Sequence, residues 1–165
     1  FDSDILAIFD KQHTTEDFET VLAACRRLAL PLVPTFVAFT PWTTLDGYRL
    51  FLSEIARLEL VESVAPVQYT IRLLIPPGSR LLDLPQVQAL VGPLDDAKLS
   101  YAWRNPDPRV DALQHELSGM VQRMTRRPRH EVFAHVWAHA FGDSHRLPPL
   151  PPGLPPPYVT EPWFC

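Results

Sequence analysis

Cysteine is almost missing from this chain: Cys25 and Cys165 are the only two in 165 residues. Two thiols so far apart build no disulfide framework, and the expectation is a reducing compartment, the cytoplasm. Glycine is nearly as scarce. The six glycines stand apart, so the clustered loops that cradle phosphate in nucleotide-binding proteins are absent. Basic charge is not in excess either, and a net charge of -4 offers no electrostatic basis for holding nucleic acid or an anionic membrane. No apolar run approaches the roughly 20 residues that span a bilayer. The first residues carry neither the basic flank nor the apolar block of a secretory signal. A chain that opens on Phe1 instead of Met is expected to be cut from something longer.

Apolar residues are present in the amount one core requires, 46% of the chain, and this length suits a single core better than two. The most informative stretch is 35–79, which reads as strand, loop, amphipathic helix, strand and loop. Two apolar strands joined through a helix are the mark of a parallel α/β sheet, where chemistry collects in the loops that follow the strands. Those loops are 40–44 and 76–79. The first strand is predicted over 32–39, apolar on both faces, with Pro34 near its start. The helix is capped at Thr43 or Thr44 and turns Tyr48, Phe51, Leu52, Ile55 and Leu58 inward. The second strand is predicted over 67–75, with Gln68, Thr70 and Arg72 alternating onto one side. A buried Arg72 without a partner would cost about 3–5 kcal/mol, so that side is expected to face a polar cavity or a barrel interior.

Before this unit, 3–9 reads as a short helix capped by Ser3 or Asp4. Thr14 to Asp17 starts a second helix, with Phe18, Val21, Leu22, Cys25, Leu28 and Ala29 on its buried face. After it, the alternation fails. Pro85, Gly92 and Pro93 break 81–94 into pieces, and Tyr101-Ala102-Trp103 is a short strand or an aromatic plug. A helix is predicted from Pro106-Asp107-Pro108 to about Met124, with Val110, Leu113, Leu117, Met120, Val121 and Met124 on one face, and another over 130–141. Residues 148–157, PPLPPGLPPP, suit only extended polyproline or disorder. The division expected is 1–80 as a partial (β/α) barrel, 81–145 as an irregular segment with a helical appendage, and 146–165 as a proline-rich tail.

Among candidate sites, His135 and His139 have the i, i+4 spacing of paired metal ligands, yet the Glu of an H-E-x-x-H arrangement is missing, which favours a polar helix face over a metal centre. Ser79, Ser100 and Ser144 lie in no nucleophile elbow. Cys25 reads as a small core residue. Gly78 is the turn residue of Pro-Pro-Gly-Ser, with a backbone that could also approach a ligand. In the loop after the first strand, Thr40, Trp42, Thr43 and Thr44 combine an aromatic face with hydroxyls. Trp42 either stacks on a planar ligand or plugs the end of the barrel. The proline-rich tail serves as a linker or as a ligand for an aromatic-lined groove, the latter implying a non-enzymatic interaction module.

Taken together, Lys11-Gln12-His13-Thr14-Thr15-Glu16-Asp17-Phe18, TFVAFTPWTTLDGY, VAPVQYTIRLLIPPGSRLL, YAWRNPDPRVDALQ and the ending TEPWFC resemble the radical S-adenosylmethionine (SAM) enzymes. Within them, the resemblance is to the group named for a Cys-Cys-Ala-Glu-Pro or Cys-selenocysteine-Ala-Glu-Pro tail. It implies the C-terminal part of a partial TIM-type barrel, with a missing N-terminal half as partner and an unidentified small-molecule or peptide substrate. The parent would cleave SAM reductively to a 5′-deoxyadenosyl radical at a four-iron, four-sulfur cluster. That cluster needs three cysteines spaced C-x-x-x-C-x-x-C. This chain lacks them, so it is expected to bind no cofactor by itself and to be inactive alone. The resemblance places Gln68, Thr70 and Arg72 in the barrel interior facing SAM or substrate, with Thr40, Trp42 and Gly78 where the barrel opens. It makes Cys165 a redox tail, next to a selenocysteine codon if the family pattern continues.

Overall fold

A computed structural model describes residues 1–142, 145–151 and 156. The chain is mixed α and β. Its elements are α1 (Ser3–Ile8), α2 (Thr15–Arg27), α3 (Leu45–Arg57), the single turn α4 (Pro85–Gln88), β1 (Val91–Asp95), β2 (Ser100–Trp103), α5 (Pro108–Arg123) and α6 (Arg129–Phe141). Two short 3-10 turns, Pro66–Tyr69 and Arg80–Asp83, sit between α3 and α4.

Capping chemistry starts the helices where the side chains can supply it. Asp2, one residue before the predicted cap, accepts the Asp4 and Ile5 amides and opens α1. Thr14 and Asp17 close a reciprocal capping box at α2, and Thr44 accepts the Gly47 amide at α3. The bonds from the Thr14 amide and then the Thr14 hydroxyl hold the Asp17 carboxyl below its usual range. At their far ends α1, α2 and α3 close in the same way. Asp10, Ala29 and Glu59 adopt left-handed backbone angles, and the next amide reaches back to Leu6, Cys25 and Ile55 respectively.

The main core joins α3, α5 and α6. Tyr48, Phe51, Leu52, Ile55 and Leu58 are all buried, as their spacing predicts, together with Val110, Leu113, Leu117 and Val121 of α5 and Val132, Phe133, Val136 and Trp137 of α6. A smaller cluster gathers Ile75, Val87 and Trp103 beneath the hairpin. Two tyrosines lie in the main core with their hydroxyls fully buried, and burial pushes both well above the ordinary range. The Tyr48 hydroxyl donates to the Tyr69 carbonyl at 2.9 Å. The Tyr69 hydroxyl meets no hydrogen-bond partner among the described residues.

Both predicted parallel strands need correction, and the residues show why. Over 32–38 the chain forms no regular element, with Val33 and Val37 about half exposed. Pro31 and Pro34 withdraw two amides from any ladder. The second segment begins as the 3-10 turn Pro66–Tyr69, because Pro66 fixes the backbone angle of a turn and the Gln68 and Thr70 amides close back onto Ala65 and Val67. Parallel pairing survives at one point. The Phe39 amide donates to the Ile71 carbonyl at 2.9 Å and the Leu73 amide to the Phe39 carbonyl at 2.8 Å, bridging Phe39 and Arg72.

The only ladder among the described residues is the antiparallel pair β1–β2, with Val91 opposite Trp103, Leu94 opposite Tyr101 and an irregularity between Val91 and Leu94. β2 realises the predicted Tyr101-Ala102-Trp103 strand. β1 holds Gly92 and Pro93, which in sequence read as breakers and here sit at the irregularity of an edge strand. The buried stripe expected on α2 reduces to Leu22, since Val21 is 53% and Leu28 62% exposed and Ala29 lies past the helix end. No helix among the described residues is long and apolar enough to cross a membrane.

Candidate functional site

The residues singled out in sequence converge where 39–43, 70–75, β2 and the start of α5 meet, but they face one another. Arg72 donates to Asp111 Oδ1 and to the Trp103 carbonyl, both at 2.6 Å, and its guanidinium lies 3.5 Å from the centroid of the Trp103 ring. The fork geometry of guanidinium suits this triple contact of carboxylate, carbonyl and ring face. The charge that needed a partner therefore finds it in α5. Asp111 uses its second oxygen to accept the Asn105 amide at 3.1 Å.

Asn105 extends the network to the loop after 32–39. Its buried side-chain amide donates to the carbonyls of Thr43 at 2.8 Å and Thr40 at 3.2 Å, and its oxygen accepts the Asp107 amide at 2.8 Å. Thr40 and Thr43, both buried, share a 3.0 Å hydroxyl contact. The Thr43 hydroxyl also accepts the Thr40 amide, and the Trp42 amide donates to the Thr40 hydroxyl. Trp42 is half-buried, packed against the hairpin cluster and edge-on to Phe9 at 6.0 Å. Burial of so many polar groups is tolerable because each has a partner.

No model of a protein family, no curated protein and no solved structure matches this chain.

The remaining predicted residues stand apart from this network or at its edge. Gln68 accepts the Phe36 amide through its side chain at 2.7 Å, standing in for a ladder bond that 32–39 does not make. The Thr70 hydroxyl donates to the Val67 carbonyl, and the Thr70 carbonyl accepts from Gln114. Gly78 has φ of 80° in the turn that the Ser79 amide closes onto Pro76, and a Cβ there would meet nothing within 4 Å. It is an exposed turn glycine of the type II pattern. Cys165 and most of the proline-rich tail lie outside the described residues.

The histidines do not converge. His139 Nε2 lies 2.6 Å from Glu116 on α5, and His130 Nδ1 lies 2.8 Å from Glu62. Among the described residues no group of three His, Cys, Asp or Glu side chains could hold a metal ion. Cys25 is free and half-buried on α2. With two cysteines in the whole sequence, the donor set does not fit a four-iron, four-sulfur cluster.

In sequence Trp103 reads only as part of a short strand or an aromatic plug, and Asn105 and Asp111 carry no role of their own. The Asn105-Pro106 dipeptide does signal a turn, but nothing local marks its amide as the tie to Thr40 and Thr43, 60-odd residues away, as the separations show.

Proposed function

We propose that this chain is the C-terminal portion of a radical SAM enzyme and that its own residues build and brace the wall of a partial (β/α) barrel. The observation that carries the reading is the parallel bridge between Phe39 and Arg72 with α3 between them. Parallel pairing demands a crossover of this kind, and the loop that follows Phe39 holds the threonines and Trp42 of the resembling motif. In this reading the polar residues 68, 70 and 72 act as positioning residues. Gln68 holds the 35–39 segment at Phe36, and Arg72 ties it through Asp111 and Asn105 to the loop at Thr40 and Thr43. Cluster and radical generation belong to a half that supplies the cysteines, with S-adenosylmethionine as its cofactor, and no step of that chemistry runs through the residues described above.

The test is the DNA on the 5′ side of the codon for Phe1. An in-frame C-x-x-x-C-x-x-C is expected there. The longer polypeptide, purified without oxygen, is expected to carry iron and sulfide and to release 5′-deoxyadenosine from SAM on reduction. Upstream DNA with no such triplet would end the proposal.

A further inference from the structure

We propose that the cleft between α1, the first turn of α2, residues 35–38 and α3 binds a small amphipathic anion, with an aromatic or alkyl body and a carboxylate- or sulfonate-like head. The cleft encloses about 420 Å³, within the range typical of small-molecule sites. Residues 35–38 form one wall of it and Thr43 of the polar network touches its edge, and the proposal does not draw on the radical SAM reading.

The body of the ligand is specified by the walls. Phe1, Phe18, Phe36 and Phe51 form a connected set of rings with centroids 5.2 to 6.3 Å apart, and all four line the cleft. Rings tilted or edge-on to one another leave ring faces and edges available to a flat or flexible apolar guest. Val37 and Leu50 line the same cleft while 46% and 51% exposed, so apolar surface stands in water at its lip. A guest that covers them gains from removing that surface from water.

The head is specified by charge. Of the acids at or beside the cleft, Asp2 accepts two amides of α1, and Asp17 accepts the Thr14 amide in the capping box. Of the two lysines in the chain, Lys98 pairs with Asp95, whereas Lys11 lines the cleft and makes no ion pair among the described residues. His13 joins it at the same rim. Their placement is fixed by the left-handed turn at Asp10, where the Lys11 amide closes onto the Leu6 carbonyl at 3.0 Å. An ammonium beside an apolar cavity selects an anionic head over a neutral one.

The experiment uses the whole chain and two fluorescent probes with related bodies: anilinonaphthalene sulfonate, which is anionic, and phenylnaphthylamine, which is neutral. Each is expected to saturate at one molecule per chain. Leu50→Asp, at a position already half in water, weakens both. Lys11→Glu and Lys11→Met weaken the sulfonate about tenfold, the value of one charge-assisted contact, and leave the amine unchanged. Unaltered near-ultraviolet circular dichroism in each variant shows that the fold is retained. Binding that does not saturate, binding indifferent to Leu50→Asp, or an equal response of the two probes to the Lys11 variants would overturn the proposal.

Discussion

Alanine to glycine near a helix end ordinarily weakens a protein, and at Ala29 the opposite is expected. Ala29 has φ of 52° and is exposed just past α2, where its amide closes onto Arg26 and the Leu30 amide onto Cys25. A left-handed conformation costs an L-residue about 1–2 kcal/mol, because Cβ crowds the following carbonyl. Glycine removes that cost but loses more backbone entropy on folding, about 0.4–1 kcal/mol. No packing is forfeited, since the Ala29 methyl is in water. The difference leaves Ala29→Gly more stable by roughly 0.5–1 kcal/mol. With a urea dependence of about 1–3 kcal/mol per molar, the midpoint should rise by a few tenths molar. Ala23→Gly, at an exposed position inside the same helix, supplies the contrast and should lose about 1 kcal/mol. Urea titrations followed by far-ultraviolet circular dichroism on the three proteins decide the matter. Two losses of equal size would show that Ala29 is not left-handed in solution, and the account of how α2 closes would fall with it.

Arg72 and Asp111 should be coupled. Both side chains are 28% exposed, so each of Arg72→Met and Asp111→Asn is expected to destabilise the fold, and a double-mutant cycle should return a coupling of about 1–2 kcal/mol. A coupling near zero would reduce the pair to an incidental contact. Alkaline pH should also destabilise the chain. Tyr48 and Tyr69 have folded-state ionisation raised by burial, so their contribution is whole below about pH 10, the unfolded value, and is lost as pH climbs above it. The urea midpoint should fall over that range. It should fall less steeply in Tyr48→Phe, which starts about 1 kcal/mol weaker for want of its bond to the Tyr69 carbonyl, and parallel curves would refute this.

Much of the helical structure is legible in the sequence because it rests on local chemistry. The stripe from Tyr48 to Leu58, the proline-led start of α5 and the threonine caps of α2 and α3 are short-range signals, and the chain obeys them. The β structure is less legible for a physical reason. Apolar runs at 32–39 and 67–75 suit a buried strand, but Pro31 just before the first, Pro34 within it and Ala65-Pro66 at the head of the second decide the backbone before any pairing can. Conversely, Gly92 and Pro93 conceal an edge strand whose pairing is supplied by β2. Arg72 illustrates how far local reading reaches. Alternation shows that its charge needs a partner, yet only the fold brings Asp111, 39 residues on, within 2.6 Å. The cleft has a compositional signal in hindsight: of nine phenylalanines, those at 1, 9, 18, 36, 39 and 51 fall in the first third of the chain.

The hairpin is fastened to the rest of the molecule along one seam. Ile75 takes a hydrogen bond from Tyr101 and gives one to the Ser100 hydroxyl, the Trp103 indole donates to Leu73, and Arg72 grips the Trp103 carbonyl. Its apolar cluster is separate from that of α3, α5 and α6. Such an arrangement divides the molecule into two cooperative units of unequal depth. Amide protons of β1 and β2 will exchange with solvent through a partial opening that unzips the seam, while those of α3 wait for the whole chain to unfold.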